Sequence, residues 1–356
     1  MQFMIRLWVQ RGNRSMSKAK IPAVLALICA VLLASCNKKA VVQNAAVEAE
    51  SSHAEEATIS LGFSTNLEDP RGVASLLFKE EVEKNSNGKI KIDIHPDGEL
   101  GGDGELIEGV INGKVDMTVS SAGNFAVYAT KLGISALPFL FSDFDEAWAF
   151  MDGEVVSEVN KTLEEFGIVV LSHYDNGFRC VTTTSRPVKS VKDMSGLNIR
   201  TPPNQIVMET MSALGATPKP YAFNELKKAL RDGLFDSQEN PIPVIYNSKL
   251  YEEQKFLSIT NHSYDAMPLV IRKDLWDEFS DGDKAIILEA AKKAQDLDRK
   301  LVKEQTESYV TKLKDAGMTI TNPDLKEFKA ATGKVMDVFT TIYGEDLIQK
   351  MRARNE

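Results

Sequence analysis

The segment KIKIDIH (89–95) alternates strictly, with Ile90, Ile92 and Ile94 on one face, and this period of two predicts a strand with one buried side. Around it the period keeps switching. ISLGFST (59–65) is predicted as a strand. Gly72 to Lys84 carries apolar residues at helical spacing (Val73, Leu76, Leu77, Val82) and runs into the turn signal Asn87-Gly88. GELIEGVINGKV is helical up to Gly113, and VDMTVSS (115–121) is a third strand. Strand, helix, strand, helix, strand in that order predicts a mostly parallel sheet flanked by helices.

The alternation continues past the apolar LGISALPFLF and an acidic helix expected over 144–166. GIVVLSHY (167–174) is predicted as a buried strand, and a second series follows. It comprises strands RCVTTT and LNIRT, a helix from Gln205 to Leu214 capped by Gly215, ATPKPYAF, and a helix from Asn224 to Arg231. Residues 275–316 exceed a typical globular helix, so they form either two helices with Ser280 capping the second or one long helix along both domains. Two α/β units in series without a linker predict two lobes facing a cleft. In such sheets ligands bind outside the carboxyl ends of the strands.

The N-terminus differs from this body. Residues 1–20 hold Arg6, Arg11, Arg14, Lys18 and Lys20 and no acid, and IPAVLALICAVLLA (21–34) is almost wholly apolar. That stretch falls short of the roughly 20 residues of a spanning helix and matches a secretory signal over 1–35, with Met16 as an alternative start to Met1. It ends in Leu33-Ala34-Ser35-Cys36, which resembles the bacterial lipobox, in which cleavage precedes a lipidated cysteine; the alternative is a plain signal with a chance cysteine. Residues 36–57, rich in Ala, Glu and Ser and free of aromatics, read as a flexible tether lifting the body off the membrane. The lipid on Cys36 would be the only membrane contact. Cys29 leaves with the signal, so Cys180 is left alone and no intrachain disulfide is expected.

Cleavage would remove five cations and no acid, taking the net charge from −9 to −14. Such a body has no electrostatic attraction for nucleic acid. The chain has no H-E-x-x-H, G-x-S-x-G, P-loop or C-x-x-C, and DGELGGDGE (97–105) reads as a tight turn with Asp103 as cap. His53, His95, His173 and His262 lack ligand spacing, so neither a metal nor a cofactor is expected. This moves weight from catalysis to binding.

Within LNIRT, Leu197 and Ile199 face one side while Asn198 and Arg200 face the other, and Thr201-Pro202-Pro203 stiffens the backbone behind Arg200. A guanidinium aimed from a rigid strand end matches a carboxylate with its two-pronged donor set; the alternative is a surface salt bridge.

The stretch from 196 to 271 resembles the solute-binding proteins of TRAP transporters, of the DctP type. The pieces that carry this are IRTP (199–202), ALGATP (213–218), PYAFNEL (220–226), DSQENP (236–241), LYEEQK (250–255) and ITNH (259–262). Upstream, FKEEVEKNSNGKIKIDIHPDGELGGD (78–103) and LPFLF (137–141) extend the likeness over roughly 58–335. The resemblance implies an α/β, two-lobed periplasmic-binding-protein-like fold of type II style, its cleft between the lobes and a long C-terminal helix across both. Lobe I would take 58–176, about 266–305 and 336–356; lobe II would take 177–265 and about 306–335. The resemblance implies a non-enzymatic, monomeric protein that passes a small carboxylate to TRAP permease subunits outside the cytoplasm. Residue by residue, it implies that Arg200 clamps the carboxylate, Arg179 supports or contacts it, Asn240 hydrogen-bonds it and Phe223 lines the pocket. Each has a plainer alternative: a domain salt bridge for Arg179, a turn cap for Asn240, core packing for Phe223.

Several loop residues could serve the far end of the ligand. Asn204 starts the helix after Arg200, Asn66, Asp69 and Arg71 follow the first strand, and Ser120 and Asn124 follow the third. Ordinary capping is the alternative for all of them. Polar groups in such number suit a sugar acid such as a hexuronate (D-glucuronate or D-galacturonate). A C4-dicarboxylate would want a second cation, for which only Arg71 is available; sialic acid is a further alternative, as is a ligand-sensing lipoprotein.

Overall fold

The computed structural model describes residues 56–344. The expected signal, Cys36, the tether up to residue 55 and residues 345–356 of the expected lobe I lie outside the described residues.

The first lobe is built as its periodicity dictates, with β1 (Ala57–Gly62), α1 (Pro70–Asn85), β2 (Ile90–His95), α2 (Asp103–Ile111) and β3 (Met117–Val119) in sequence. β1 lies between β2 and β3 and is parallel to both. The strand begins at Ala57, which pairs with Ile90, so the last residue assigned to the tether belongs to the sheet. α1 starts where Asp69 accepts from the Arg71 N–H at 3.2 Å and Pro70 occupies the first turn, a place where its missing N–H costs nothing. Phe78 and Val82 of α1 pack on Ile59, Leu61 and Ile92 of the sheet.

After the one-turn helix α3 (Ala122–Phe125), the acidic helix expected over 144–166 is broken into α4 (Phe144–Met151) and α5 (Glu154–Lys161). The break falls at Asp152-Gly153. There the Asp152 carboxylate leaves the helical path to accept from Arg299 Nη1 and Nη2 at 2.7 and 2.8 Å, and Gly153 is extended.

β4 (Ile168–Thr183) joins two strands that were expected separately. Its middle, Asp175-Asn176-Gly177, has turn composition yet stays extended because tertiary partners take its polar groups. The Asp175 N–H donates to Asp298 at 2.5 Å, Asn176 Nδ2 donates to Asp265 at 2.8 Å, and a register shift between Asp175 and Gly177 absorbs the irregularity.

The second lobe follows: β5 (Asn198–Thr201), α6 (Gln205–Ala213), β6 (Thr217–Pro220), α7 (Leu226–Arg231), β7 (Ser237–Pro241), α8 (Ile242–Asn247) and β8 (Phe256–Ser258). β9 (Tyr264–Arg272) returns antiparallel to β4 and to β3. The sheet order β2-β1-β3-β9-β4-β7-β5-β6 makes β4 and β9 the strands that cross between lobes.

The stretch 275–316 resolves as two helices. α9 (Lys273–Glu278) is short; α10 (Asp281–Asp315) is capped by Ser280, whose hydroxyl accepts from the Asp283 N–H at 3.1 Å. Its 35 residues extend about 52 Å, enough to pack on α1 in one lobe and α8 in the other. β10 (Thr319–Thr321) pairs with β8, and α11 (Leu325–Tyr343) packs on α6.

Candidate functional site

The sheet order brings the second-lobe residues together. Arg179 on β4, Asn240 on β7 and Arg200 on β5 stand on three successive strands, with Arg200 in register with Gln238 and Cys180 with Asn240. They form one wall of a cavity between the lobes. Phe223 and Val244 join that wall, and Ser64, Thr65, Arg71, Asp103, Ser121 and Asn124 come from the first lobe. Asn176 and Asp265 line it from the crossing strands.

Arg200 is 2% exposed. Its Nε and Nη2 both donate to the Tyr221 carbonyl at 2.8 and 2.6 Å, and its guanidinium carbon lies 6.0 Å from the centre of the Phe223 ring. Among the described residues no carboxylate pairs with it, and Nη1 has no protein acceptor. Burial pushes its pKa down to about 10. A buried cation without a counter-ion is costly.

Arg179 is the opposite case. Nε and Nη2 donate to the Glu239 carboxylate at 2.5 and 2.9 Å, Nη1 to Asp265 at 2.7 Å, and Nη2 also reaches Glu239 O and Asn240 Oδ1. Burial alone would lower its pKa; the carboxylates of Glu239 and Asp265 outweigh this and hold it above the usual value. For Glu239, burial favours protonation but Arg179 overcomes it, and the carboxyl stays below its usual value. Arg179 therefore reaches the cavity as a neutralised support. Asn240 is tied into the same network, its Oδ1 accepting from Arg179 and its Nδ2 donating to Gln238 at 2.5 Å, which leaves one amide N–H.

Of the other residues singled out, Arg71 and Asn124 line the cavity, whereas Asn66, Asp69, Ser120 and Asn204 do not. Asn204 caps α6, accepting from the Ile206 and Val207 N–H groups, and its amide sits against Gly123 so closely that a Cβ there would lie 1.8 Å away. Asp69 caps α1, and Ser120 shares a hydrogen bond with Thr118. Asn66 bridges the lobes: Nδ2 donates to Asn247 O at 3.0 Å, while Oδ1 holds the turn into α1. Asp103 is not the cap of α2, a place taken by Gly102; it accepts from Ser64 Oγ at 2.9 Å inside the cavity.

Glu239, Asp265 and Asn176 were missed by sequence reasoning. Asp265 carried a usable signal, being an acid at the start of a strand, YDAMPLVIR, whose next six residues are apolar.

A profile of the family described as "Bacterial extracellular solute-binding protein, family 7" (DctP) matches residues 61–341. The chain belongs to that family. Among family 7 relatives, the 2,3-diketo-L-gulonate-binding periplasmic protein YiaO of Escherichia coli (strain K12) is 34% identical over 82% of this chain and 90% of its own length. A TRAP periplasmic solute-binding protein from Polaromonas sp. JS666, bound to D-erythronate, superposes with a TM-score of 0.82 at 34% identity, covering 84% of this chain and 99% of that one. The sugar acid-binding protein DctPAm from Advenella mimigardefordensis strain DPN7T, in complex with galactonate, gives 0.81 at 29%, covering 83% and 97%.

A family 7 protein is the solute-binding component of a TRAP transporter. It binds a small organic acid outside the cytoplasm, works with membrane permease subunits and is not a catalyst. Among the described residues no helix is long and apolar enough to cross a membrane.

Proposed function

We propose that this solute-binding protein captures a sugar acid, of the size and polarity of D-glucuronate or D-galacturonate, and that the ligand carboxylate docks on Arg200. The observation that carries this is the buried guanidinium of Arg200, which faces an inter-lobe cavity and, among the described residues, has no acid of its own. An incoming carboxylate would supply the missing counter-ion in a site from which water is excluded, where a charge-assisted pair is strongest. Asn240 offers its remaining amide N–H to the same group, Phe223 covers it, and Arg179 holds the strand wall in place. The hydroxyl and amide groups of Ser64, Thr65, Ser121, Asn124 and Asn176 favour a hydroxylated ligand. The sugar acids named for the relatives support the same class.

One clamp contributes about 1.5–3 kcal/mol, against about −8 kcal/mol for micromolar binding, so hydroxyl and apolar contacts must supply the remainder. A C4-dicarboxylate is the second reading, favoured by the cavity position of Arg71. The protein would work as a monomer, with the lobes divided near 176/177 and 265/266, and Cys36 would carry the lipid anchor.

Melting curves test the ligand class. A uronate or aldonate at about 100 times its Kd should stabilise the protein by about 2.7 kcal/mol, and the melting temperature should rise accordingly. A rise with succinate or malate alone would favour the second reading, and no rise with uronates, aldonates, sialic acid or dicarboxylates would refute the proposal.

A further inference from the structure

The two walls of the cavity have different unmet groups. Among the described residues, Nη1 of Arg200 lacks an acceptor. On the first-lobe wall, among the described residues, the buried Asn124 side-chain oxygen has no donor, and the one hydrogen bond to the Asp103 side chain comes from Ser64. On the same wall lies Arg71, 4% exposed at the start of α1. Its Nη1 is 3.4 Å from Val119 O and 3.9 Å from Asp103, and its Nε has no acceptor. The cation in this wall is thus already answered by an acid, at a distance too long for a direct hydrogen bond.

We infer that Arg71, Asp103 and Asn124 form a hydroxyl-reading subsite that rejects a second carboxylate, an inference that rests on the docking of the first carboxylate at Arg200. A hydroxyl brings one donor and two acceptor lone pairs. Arg71 donates to a hydroxyl oxygen, and the protons of two neighbouring hydroxyls go to Asp103 and Asn124, so a polyhydroxylated ligand gives each group on this wall the partner that it lacks. A carboxylate brings acceptors only. It would leave the Asn124 oxygen unsatisfied and place a negative charge beside Asp103, where like charges disfavour one another. Arg71 could still donate to it, but Asp103 already offsets the Arg71 charge, so this wall carries no net positive charge to hold a second anion. Arg200 selects for an acid, and the first-lobe triplet selects for what the other end of that acid carries. The ligand class is therefore a polyhydroxylated monocarboxylate.

The test is calorimetric titration of the full-length protein with galactonate and with galactarate, which share a six-carbon chain and differ in having one or two carboxylates. The wild type should prefer galactonate by at least about 10-fold, the scale of one charge-assisted hydrogen bond lost and one repulsion gained. Asp103→Asn, which keeps the shape of the side chain, should narrow that ratio mainly by tightening galactarate. Arg71→Gln should weaken galactonate by about 10-fold or more. Equal wild-type affinities, or tighter binding of galactarate or succinate, overturn the inference while leaving the docking of a carboxylate at Arg200 intact, and this arm needs no variant. An unchanged ratio in a folded Asp103→Asn protein also overturns it. If none of these acids binds, the reading on which the inference rests fails with it.

Discussion

Arg179 and Arg200 stand on one wall of the cleft, separated by a single strand, and both are buried. Arg179 is enclosed by two carboxylates; among the described residues Arg200 has only a backbone carbonyl and an aromatic face. Burial and charge alone would rank them equally as site residues. What separates them is the deficit: the protein completes the coordination of one and, in the proposed reading, leaves the other for an incoming anion. Asp175, on the crossing strand, follows a third course: burial pushes its carboxyl up to about 7, so it is relieved by protonation, with Trp148 donating to one oxygen.

The largest effect should come from breaking the complete pair. Glu239→Ala strips Arg179 of one of its two acids and His262 of a partner 3.3 Å away, and removing one member of a buried pair costs about 3–5 kcal/mol. Urea denaturation should show that loss. In the ligand-free protein Arg200→Met should cost far less or even stabilise, since an unpaired buried charge is replaced by an apolar chain of similar length. Comparable losses for both variants would mean that Arg200 is structural.

A smaller, pH-dependent effect sharpens the contrast with Asp175. Its folded pKa lies above the ordinary value of 3.8, so the folded state retains a proton that the unfolded chain releases. Its contribution to stability is therefore present at low pH and lost as pH rises from about 4 to about 7. His173, pushed down to about 4 by burial, acts in the opposite sense between about 4 and 6.5. Comparing Asp175→Asn with wild type isolates the carboxyl: the advantage of the variant should grow from pH 4 to 7 and then level off. A flat difference would show that Asp175 is already ionised in the folded protein over this range.

On the second-lobe wall Arg200 was legible from the residues themselves, because it sits at a strand end where a period of two and neighbouring prolines fix direction locally, whereas Asn240 and Phe223 were named from the family resemblance. Arg200, Asn240 and Phe223 all reached the cavity. The first-lobe wall was read less well. Asn66, Asp69 and Ser120 have the same residue types as Asn124, Asp103 and Ser64, and whether such a side chain caps a helix, bridges lobes or lines the cavity depends on partners far away in the chain. The same blindness split β4 in two: Asp175-Asn176-Gly177 looks like a turn until Asp298 and Asp265, over eighty residues further on, accept its hydrogen bonds. The alternation that defines the fold and the Ser280 cap depended on near neighbours only, and both were legible.

Titrating a sugar acid such as galactonate into wild type and Arg200→Met, after matching their ligand-free urea curves, asks whether the unpaired guanidinium is the docking point. The expected result is saturable wild-type binding that weakens by about 10- to 100-fold in the variant, the scale of a charge-assisted hydrogen bond. Equal affinity in the two folded proteins would contradict the assignment of Arg200 as the carboxylate clamp.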